Sequence, residues 1–476
     1  MAEREQERYI VAFEIGSSKV RGAIGLAKPG GVVDVIAVEE ERLIDKVRYG
    51  IIQNMEVSNA LSLVAERLEA YPQVEPRQIT GAYVGLGGRT LWSTSVDVSL
   101  DLGEETEITP PIIEDLCRQA EATVESDRDV VDVVPVRFTV NNKTQNTPIG
   151  TFGNQVGARM TVLSCAPQLK RMLRKVVEER LKLDIIDYVT CSLAEADMTL
   201  TDDERRLGCM FVDFGAETVT VAIYKNGTPA YVATLPIGSR NITLDLTRNR
   251  TEERAEEIKI AVGNALNTPE PARHGAGAMA DDIDTTEINN YVHARADEII
   301  ANIIAQIDYA GFRAEDLHDG IIIVGGGARL RGFNELLAQQ SKMKVRMGTL
   351  PSTVRLTDGS VSGTGSLDVI SILFAAAQDS PEECLSELPD EEEAAAGGAT
   401  NYDELLRLAG DNPGGKVRIG GDGDDDDDDA EGNPPAPAVP DPGKDNTGGI
   451  GTTIRNLFRR ISAIVDESEE PDGDEE

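Results

Sequence analysis

The chain has 476 residues, a length that predicts two or more compact units rather than one core. It carries 84 acidic and 46 basic residues, which argues against nucleic acid as a partner, because phosphate binding needs lysines and arginines. Residues 379–476 hold 29 of the acidic residues and 7 of the basic ones. With three histidines and five cysteines that form no closely spaced pair, neither a disulfide framework nor a histidine metal site is indicated, and a reducing cytoplasmic setting fits.

Apolar runs near the N-terminus predict three strands followed by a helix. The strands are expected at 9–15, 20–26 and 32–38, with a turn at 29–31, and the helix at 57–69. Runs at 93–101 and 131–140 predict later strands. This first region is expected to end near residue 165.

The second region opens with a basic helix at 169–181 and then repeats the three-strand pattern. The strands are expected at 209–214, 218–225 and 229–235, and Asn226-Gly227 between the last two is a strong hairpin signal. Helices at 252–266 and 287–310 follow, then a short strand at 321–324 and a helix at 333–340.

The two strand patterns align at a constant offset of 199 residues, which places 13–18 on 212–217. In each copy a strand ends in an acid, an apolar residue and a glycine, and the chain then turns sharply into a hairpin. Glycine lets backbone N–H groups approach a phosphate, hydroxyls and a lysine add donors, and an aspartate can hold a hydrated Mg²⁺. The residues predicted to serve a polyphosphate are Gly16, Ser17, Ser18, Lys19, Asp213, Gly215 and Thr218.

A third glycine cluster follows the strand at 321–324. Its glycines suit a flat adenosine that lies on bare backbone, and the residues are Gly325, Gly326, Gly327 and Arg329. Each loop alone is equally compatible with an ordinary tight turn, but the ordered set of three favours a nucleotide site. A P-loop sequence is absent, and the glycine-rich stretch at 85–88 is interpreted as a structural turn.

The ordered set resembles the actin, Hsp70 and sugar-kinase superfamily, and within it the chain is similar to the FtsA family of actin-like bacterial cell-division proteins. The resemblance rests on 11–20 and 210–220 as phosphate loops, 193–196 and 200–204 as the connecting segment, 238–245, 255–265 and 452–465. It implies a two-lobed α/β ATPase fold with ATP and Mg²⁺ as cofactors. Gly238 would enter the upper second lobe, Glu256 and Lys259 would lie near the ribose and base, and Glu14 and Asp213 would hold Mg²⁺ through water.

The resemblance also implies a domain organisation. The first lobe would span 9–85 and carry a family-specific inserted subdomain at 86–165. The second lobe would span 166–377, with a helical upper subdomain at about 245–315. A disordered linker at 379–450, which includes six consecutive aspartates at 424–429, an amphipathic helix at 452–465 and an acidic tail at 466–476 would follow.

The segment at 452–465 has one apolar stripe at helical spacing, flanked by arginines. Such a helix suits an anionic membrane interface, and the similar tail of the FtsA family binds there. Docking onto the chain's own body or onto a protein partner is the alternative. The residues expected at the membrane are Ile454, Arg455, Leu457, Phe458, Arg459, Arg460, Ile461, Ile464 and Val465.

The function implied by the resemblance is that of a polymerising membrane anchor at the division site, on the cytoplasmic face of the inner membrane. The C-terminal peptide of the tubulin-like division-ring protein would bind near 287–310, where Arg295 is either a contact or part of a solvated helix face. Further copies of the chain and downstream division proteins are the other expected partners.

Two departures from the family pattern, Glu14 in place of the usual aspartate and Cys191 in the connecting segment, predict weak ATP hydrolysis at most. A soluble small-molecule kinase and a chaperone-like ATPase of the same superfamily are the alternative functions. The first does not explain the terminal helix, and the second requires a folded substrate domain where an acidic linker is expected.

Overall fold

The computed structural model describes residues 7–43, 46–145, 147–267, 284–357, 363–379 and 382–387. The predicted helix at 452–465, the acidic tail at 466–476 and nearly all of the predicted linker at 379–450 lie outside these residues. Among the residues that are described, no helix is both long enough and apolar enough to cross a membrane.

Strands and helices are interspersed along the described chain. The strands are β1 (Arg8–Ile15), β2 (Lys19–Lys28), β3 (Val32–Arg42), β4 (Val47–Arg48), β5 (Ile51–Ile52), β6 (Gln78–Ile79), β7 (Gly81–Leu86), β8 (Trp92–Glu107), β9 (Asp129–Val140), β10 (Lys143–Gln145), β11 (Phe152–Cys165), β12 (Asp184–Thr190), β13 (Cys209–Phe214), β14 (Val219–Lys225), β15 (Thr228–Leu235), β16 (Ile321–Val324), β17 (Val345–Met347), β18 (Val354–Leu356) and β19 (Leu385–Ser386). The helices are α1 (Val57–Glu69), α2 (Pro110–Glu121), α3 (Pro167–Arg174), α4 (Cys191–Thr199), α5 (Asp202–Leu207), α6 (Ser239–Asp245), α7 (Glu252–Val262), α8 (Thr285–Tyr309), α9 (Phe333–Ser341) and α10 (Leu367–Asp379). A π-helical segment, Lys175–Leu181, continues α3.

A six-stranded sheet in the order β12-β7-β1-β2-β3-β18 forms the centre of the first lobe. β1 pairs with β2 in antiparallel fashion and with β7 in parallel fashion. Helices α1 and α10 both pack on this sheet. A Cβ at Gly22 would come within 2.6 Å of Val64 on α1, so glycine at this position lets the helix approach the strand closely.

The inserted subdomain follows β7 and precedes α3. Its antiparallel strands β8, β9, β10 and β11 carry α2, and apolar side chains of the strands and the helix form a separate small core. The edge strand β8 also reaches the second lobe, where Ser93 Oγ accepts a hydrogen bond from Val232 N at 2.7 Å and donates one to Val232 O at 3.1 Å. Trp92 of β8 also pairs with Ala233 of β15, so the sheet runs on in the order β10-β9-β11-β8-β15-β14-β13-β16-β17.

The second lobe combines β13–β17 with α6, α7, α8 and α9, whose apolar faces share one core. The long helix α8 begins where Asp284 Oδ1 accepts hydrogen bonds from Thr286 N at 2.9 Å and Glu287 N at 3.2 Å. Buried residues recur along α8 at helical spacing, and they include Ile288, Val292, Ala296, Ile299 and Ile303.

The boundary between the lobes differs from the sequence-based assignment of 166–377 to the second lobe. β12 pairs with β7, β18 pairs with β3, and α10 packs on β1, so these elements belong to the first lobe. The physical reason is that parallel strands and crossover helices pair across long sequence separations, which an apolar pattern along the chain does not reveal.

The structure also differs from expectation in the extent of β8, which runs to Glu107 rather than to residue 101, in the end of one helix and in one added strand. Helix α7 ends at Val262 rather than at residue 266, because Gly263 takes an extended conformation with ψ 133°. At the start of the predicted linker, β19 pairs with β6, and Cys384 O accepts hydrogen bonds from Thr80 N at 3.0 Å and Gly81 N at 3.3 Å. The buried side chains of Cys384 and Leu385 account for this extension of the folded body.

Candidate functional site

Two hairpins with the same turn geometry open toward one cleft. Gly16 N donates to Lys19 O at 3.0 Å, and Gly215 N donates to Thr218 O at 2.9 Å. The strand registers match as well, because Ile15 pairs with Val20 and Phe214 pairs with Val219. The offset of 199 residues inferred from the sequence is therefore also the offset between two strand–turn–strand units with the same turn hydrogen bond and register.

The third glycine loop reaches the same cleft from the end of β16. Gly325 has φ +91°, and a Cβ there would lie 2.4 Å from Phe214 O, so only glycine fits. A Cβ at Gly327 would lie 2.6 Å from the Phe214 ring. At Gly326, by contrast, no atom of the other described residues, its two chain neighbours aside, lies within 4 Å of the Cβ position, so this residue presents bare backbone to the cleft.

The cleft has a volume of about 590 Å³, which is within the usual range for small-molecule sites. Nearly all the residues predicted from the sequence line it, namely Glu14, Gly16, Ser17, Ser18, Lys19, Asp213, Gly215, Thr218, Glu256, Lys259, Gly325, Gly326, Gly327 and Arg329. Gly238 has a packing role beside it, because a Cβ there would lie 2.3 Å from Ala216 O in the second hairpin.

Three carboxyl groups gather at the base of the cleft. Burial raises the pKa of Glu14 to about 7 and that of Asp213 to about 6. Burial, together with the charges of Asp213 and Glu14, also raises the pKa of Glu195 well above its ordinary value of 4.5. Because their pKa values are raised, ionising these carboxyl groups costs free energy, and a bound cation would reduce that cost.

Glu195 is a cleft residue that the sequence did not single out. It lies on α4 and is 2% exposed, and among the residues that the structure describes its Oε2 atom has no hydrogen-bond partner. It falls in the connecting segment at 193–196 and had no role assigned from the sequence, because its position in the cleft follows from the packing of α4. Burial raises the pKa of the neighbouring Cys191 thiol well above 9.0, so this thiol stays neutral.

Three cations of the cleft, Lys19, Arg21 and Lys259, are held by protein acceptors. Lys19 Nζ donates to Glu40 Oε2 at 2.6 Å. Arg21, which the sequence analysis did not single out, pairs with Glu40 at 3.2 Å and also with Asp368 of α10. Lys259 Nζ donates to Thr243 Oγ1 at 2.8 Å and pairs with Glu256 Oε2 at 2.7 Å. Burial lowers the pKa of Lys19 and of Lys259.

The donor set fits Mg²⁺ bound through water better than a metal held directly. No group of three or more His, Cys, Asp or Glu side chains with metal-binding geometry occurs in the part of the chain that the structure describes. Mg²⁺ usually keeps several waters and takes one or two carboxylates. Glu14 and Asp213 supply two, and the unpaired Glu195 Oε2 offers a further acceptor for a bound water.

Arg295 on α8 lies away from the cleft. It is engaged within its own lobe, because its Nε and Nη2 atoms donate to the two carboxylate oxygens of Asp245 at 2.6 and 3.0 Å. Arg295 also pairs with Glu298 one turn along the same helix. These bonds tie α8 to α6, and a role in partner binding stays a prediction.

The Glu14→Gln variant is expected to flatten the pH dependence of stability in the nucleotide-free chain. The pKa of Glu14 is raised from 4.5 to about 7 in the folded state, which therefore holds this proton more tightly than the unfolded state does. The stability that the folded state gains from protonated Glu14 is fully present below about pH 4.5 and is lost as the pH rises through about 7. Between about pH 5.5 and 8, the free energy of unfolding should fall by about 1–2 kcal/mol more in wild type than in the variant. Equal falls in thermal midpoint for the two chains would contradict this assignment.

The sequence matches two related families. The family described as "Cell division protein FtsA" matches residues 210–363, and the family described as "SHS2 domain inserted in FTSA" matches residues 88–164. The cell division protein FtsA of Porphyromonas gingivalis is 30% identical over 366 residues, covering 74% of this chain and 74% of that protein. FtsA of Pseudomonas aeruginosa is 27% identical over 373 residues, covering 75% and 87%.

The fold is also found in solved structures. A chain of the PilM-PilN type IV pilus biogenesis complex superimposes with a TM-score of 0.56 at 14% identity, covering 78% of this chain and 98% of that one. At this identity the similarity concerns the fold alone. The predicted two-lobed actin-like ATPase fold with its inserted subdomain is confirmed. With the match to a relative at 30% identity along most of both chains, the protein belongs to the FtsA family of cell division proteins.

Proposed function

We propose that this chain binds ATP with Mg²⁺ in the cleft and acts as a polymerising peripheral membrane anchor during bacterial cell division. In this role it tethers the tubulin-like division ring to the inner face of the cytoplasmic membrane. The observation that carries the nucleotide part is the convergence of two equivalent glycine hairpins, a third glycine loop and three carboxyl groups on one cleft.

Different residues of the cleft would contact different parts of the nucleotide. The hairpins at 16–19 and 215–218 would face the phosphates from opposite sides, where their backbone N–H groups, hydroxyls and Lys19 can donate. The loop at 325–327 leaves room for adenosine, and Glu256 and Lys259 on α7 would lie near the ribose and base. Mg²⁺ would neutralise phosphate charge, and Glu14 and Asp213 would hold its water ligands.

Slow hydrolysis fits the chemistry of Cys191 on α4. Cys191 stays a neutral thiol and is a poor group for orienting an attacking water. The cleft is therefore better suited to retaining ATP than to turning it over, as a structural role in assembly requires.

The Asp213→Asn variant tests the nucleotide part of the proposal. It keeps the size of the side chain and removes its charge, so we expect the gain in ATP affinity that Mg²⁺ gives to fall by about tenfold. Titration of a fluorescent ATP analogue with and without Mg²⁺ measures this gain. Asp97→Asn is the matched control, because Asp97 pairs with Arg159 on the inserted subdomain, outside the cleft. Full Mg²⁺ dependence in Asp213→Asn would exclude this carboxylate from the metal site.

The membrane part rests on the sequence of 452–465, which lies outside the described residues. An apolar stripe flanked by arginines and joined to the body by a long acidic segment gives the chain a tethered interfacial anchor. One such helix binds weakly, and polymerisation would strengthen attachment because linked anchors act together. Binding of the division-ring peptide near 287–310, of other copies and of downstream division proteins completes the proposed tether.

A further inference from the structure

The loop between β4 and β5 sits at the side of the cleft and is fixed to the first lobe. Tyr49 has φ +51° and Gly50 has φ +77°, so the loop makes a tight left-handed turn. A Cβ at Gly50 would lie 2.3 Å from Gly88 Cα, which means that this turn rests directly on the glycine stretch at 85–88. Tyr49 O accepts a hydrogen bond from Arg89 N at 2.9 Å.

The N–H of the same residue points across to the second lobe. Tyr49 N donates to Glu217 Oε2 at 2.6 Å, and Glu217 belongs to the second phosphate hairpin, between Gly215 and Thr218. The Glu217 side chain is 6% exposed. A buried carboxylate of the second lobe is thus hydrogen-bonded to the backbone of the first lobe.

The other oxygen of Glu217 binds Arg240, at the start of α6. Arg240 Nη1 donates to Glu217 Oε1 at 2.5 Å, while its Nε and Nη2 atoms donate to Glu252 of α7 at 2.5 and 3.0 Å. The backbone supports the same hairpin, because Arg240 N donates to Ala216 O at 2.7 Å and Ser239 N donates to Gly215 O at 3.0 Å. The turn of the second hairpin is therefore held by its own lobe and by the opposite lobe at once.

We propose that Glu217 is a positioning residue for the nucleotide site. With Tyr49 and Arg240 it forms a latch, the Glu217 latch, which holds the two phosphate hairpins at the spacing that a nucleoside triphosphate needs. Opening the lobes would break the hydrogen bond between Glu217 and the Tyr49 N–H. Leaving such buried groups unpaired costs free energy. The positioning role rests on the proposed ATP binding, whereas the hydrogen bonds of the latch can be tested by themselves.

Two variants separate the parts of the latch. Glu217→Ala removes both hydrogen bonds, and we expect a fluorescent ATP analogue to dissociate about tenfold faster, with little change in its association rate. Glu217→Gln keeps an amide oxygen for Tyr49 N–H and loses the ion pair with Arg240, so its dissociation rate should lie between those of wild type and Glu217→Ala. Asp97→Ala is the matched control, because Asp97 pairs with Arg159 on the inserted subdomain, outside the cleft, and should leave the rate unchanged.

Hydrogen–deuterium exchange of the segment 46–53 measures the latch without nucleotide. We expect one amide of this segment to exchange faster in Glu217→Ala and to stay protected in Glu217→Gln. Unchanged protection in Glu217→Ala would overturn the latch. Faster exchange with an unchanged dissociation rate would overturn its positioning role. A wild-type chain that binds no nucleotide would instead remove the proposed function, and the exchange result would still decide whether the lobes are tied.

Discussion

Replacing Gly326 by leucine is expected to lower the affinity for ATP by at least about 100-fold while the protein stays folded. Gly326 has φ -65° and ψ -34°, values that any L-residue adopts, and within the described part of the chain no atom beyond its chain neighbours lies within 4 Å of its Cβ position. A leucine side chain would therefore fill the cleft rather than clash with the fold. Binding of a fluorescent ATP analogue and the thermal midpoint of the nucleotide-free chain measure the two effects.

Two neighbouring variants serve as controls for Gly326→Leu. Gly326→Ala adds a single methyl group and should weaken ATP binding much less. Gly325→Ala should instead lower the thermal midpoint, because Gly325 has φ +91° and a Cβ there meets Phe214 O at 2.4 Å. If Gly326→Leu bound ATP as wild type does, the third glycine loop would not face the nucleotide.

A chain ending at Gly451 is expected to bind anionic vesicles with an affinity at least about tenfold lower than that of the intact chain. The truncation removes the apolar stripe and the three arginines at 455, 459 and 460, and with them the proposed anchor. Co-sedimentation with vesicles, with and without ATP, measures the loss. ATP should increase the binding of the intact chain, because assembly links many weak anchors.

Deletion of the aspartate run at 424–429 is the control for that truncation, because it shortens the linker and leaves the helix sequence intact. The shortened chain should bind vesicles about as well as the intact one. Equal pelleting of the intact and truncated chains would exclude a membrane role for 452–465. Weaker binding in the deletion variant would show that the linker itself tunes attachment.

The phosphate hairpins were predictable because their chemistry is local. A strand that ends in an acid, an apolar residue and a glycine specifies its own turn, and the repeat at an offset of 199 residues made coincidence improbable. The strand Ile321–Val324 and the glycines after it have the same local character. In these segments the apolar pattern and the turn residues specify the same structure, so the local sequence was sufficient to predict the fold there.

Glu195, Arg21 and Glu217 were not predictable because tertiary packing creates their roles. Glu195 reaches the cleft through the packing of α4, and Arg21 is held by Asp368, which lies 347 residues further along the chain. The partner of Glu217 in the first lobe is a backbone N–H, to which no side-chain pattern corresponds. The lobe boundary was misassigned for the same reason, since β12 and β18 join the first sheet by long-range pairing.

Vesicle flotation with the tubulin-like division-ring protein is the decisive measurement for the proposed tether. Anionic vesicles, ATP, the intact chain and the division-ring protein of the same cell are mixed and centrifuged through a density gradient. The division-ring protein should float with the vesicles when the intact chain is present, and stay at the bottom when the chain is absent or ends at Gly451. A division-ring protein that stays at the bottom while the intact chain floats would contradict the tether.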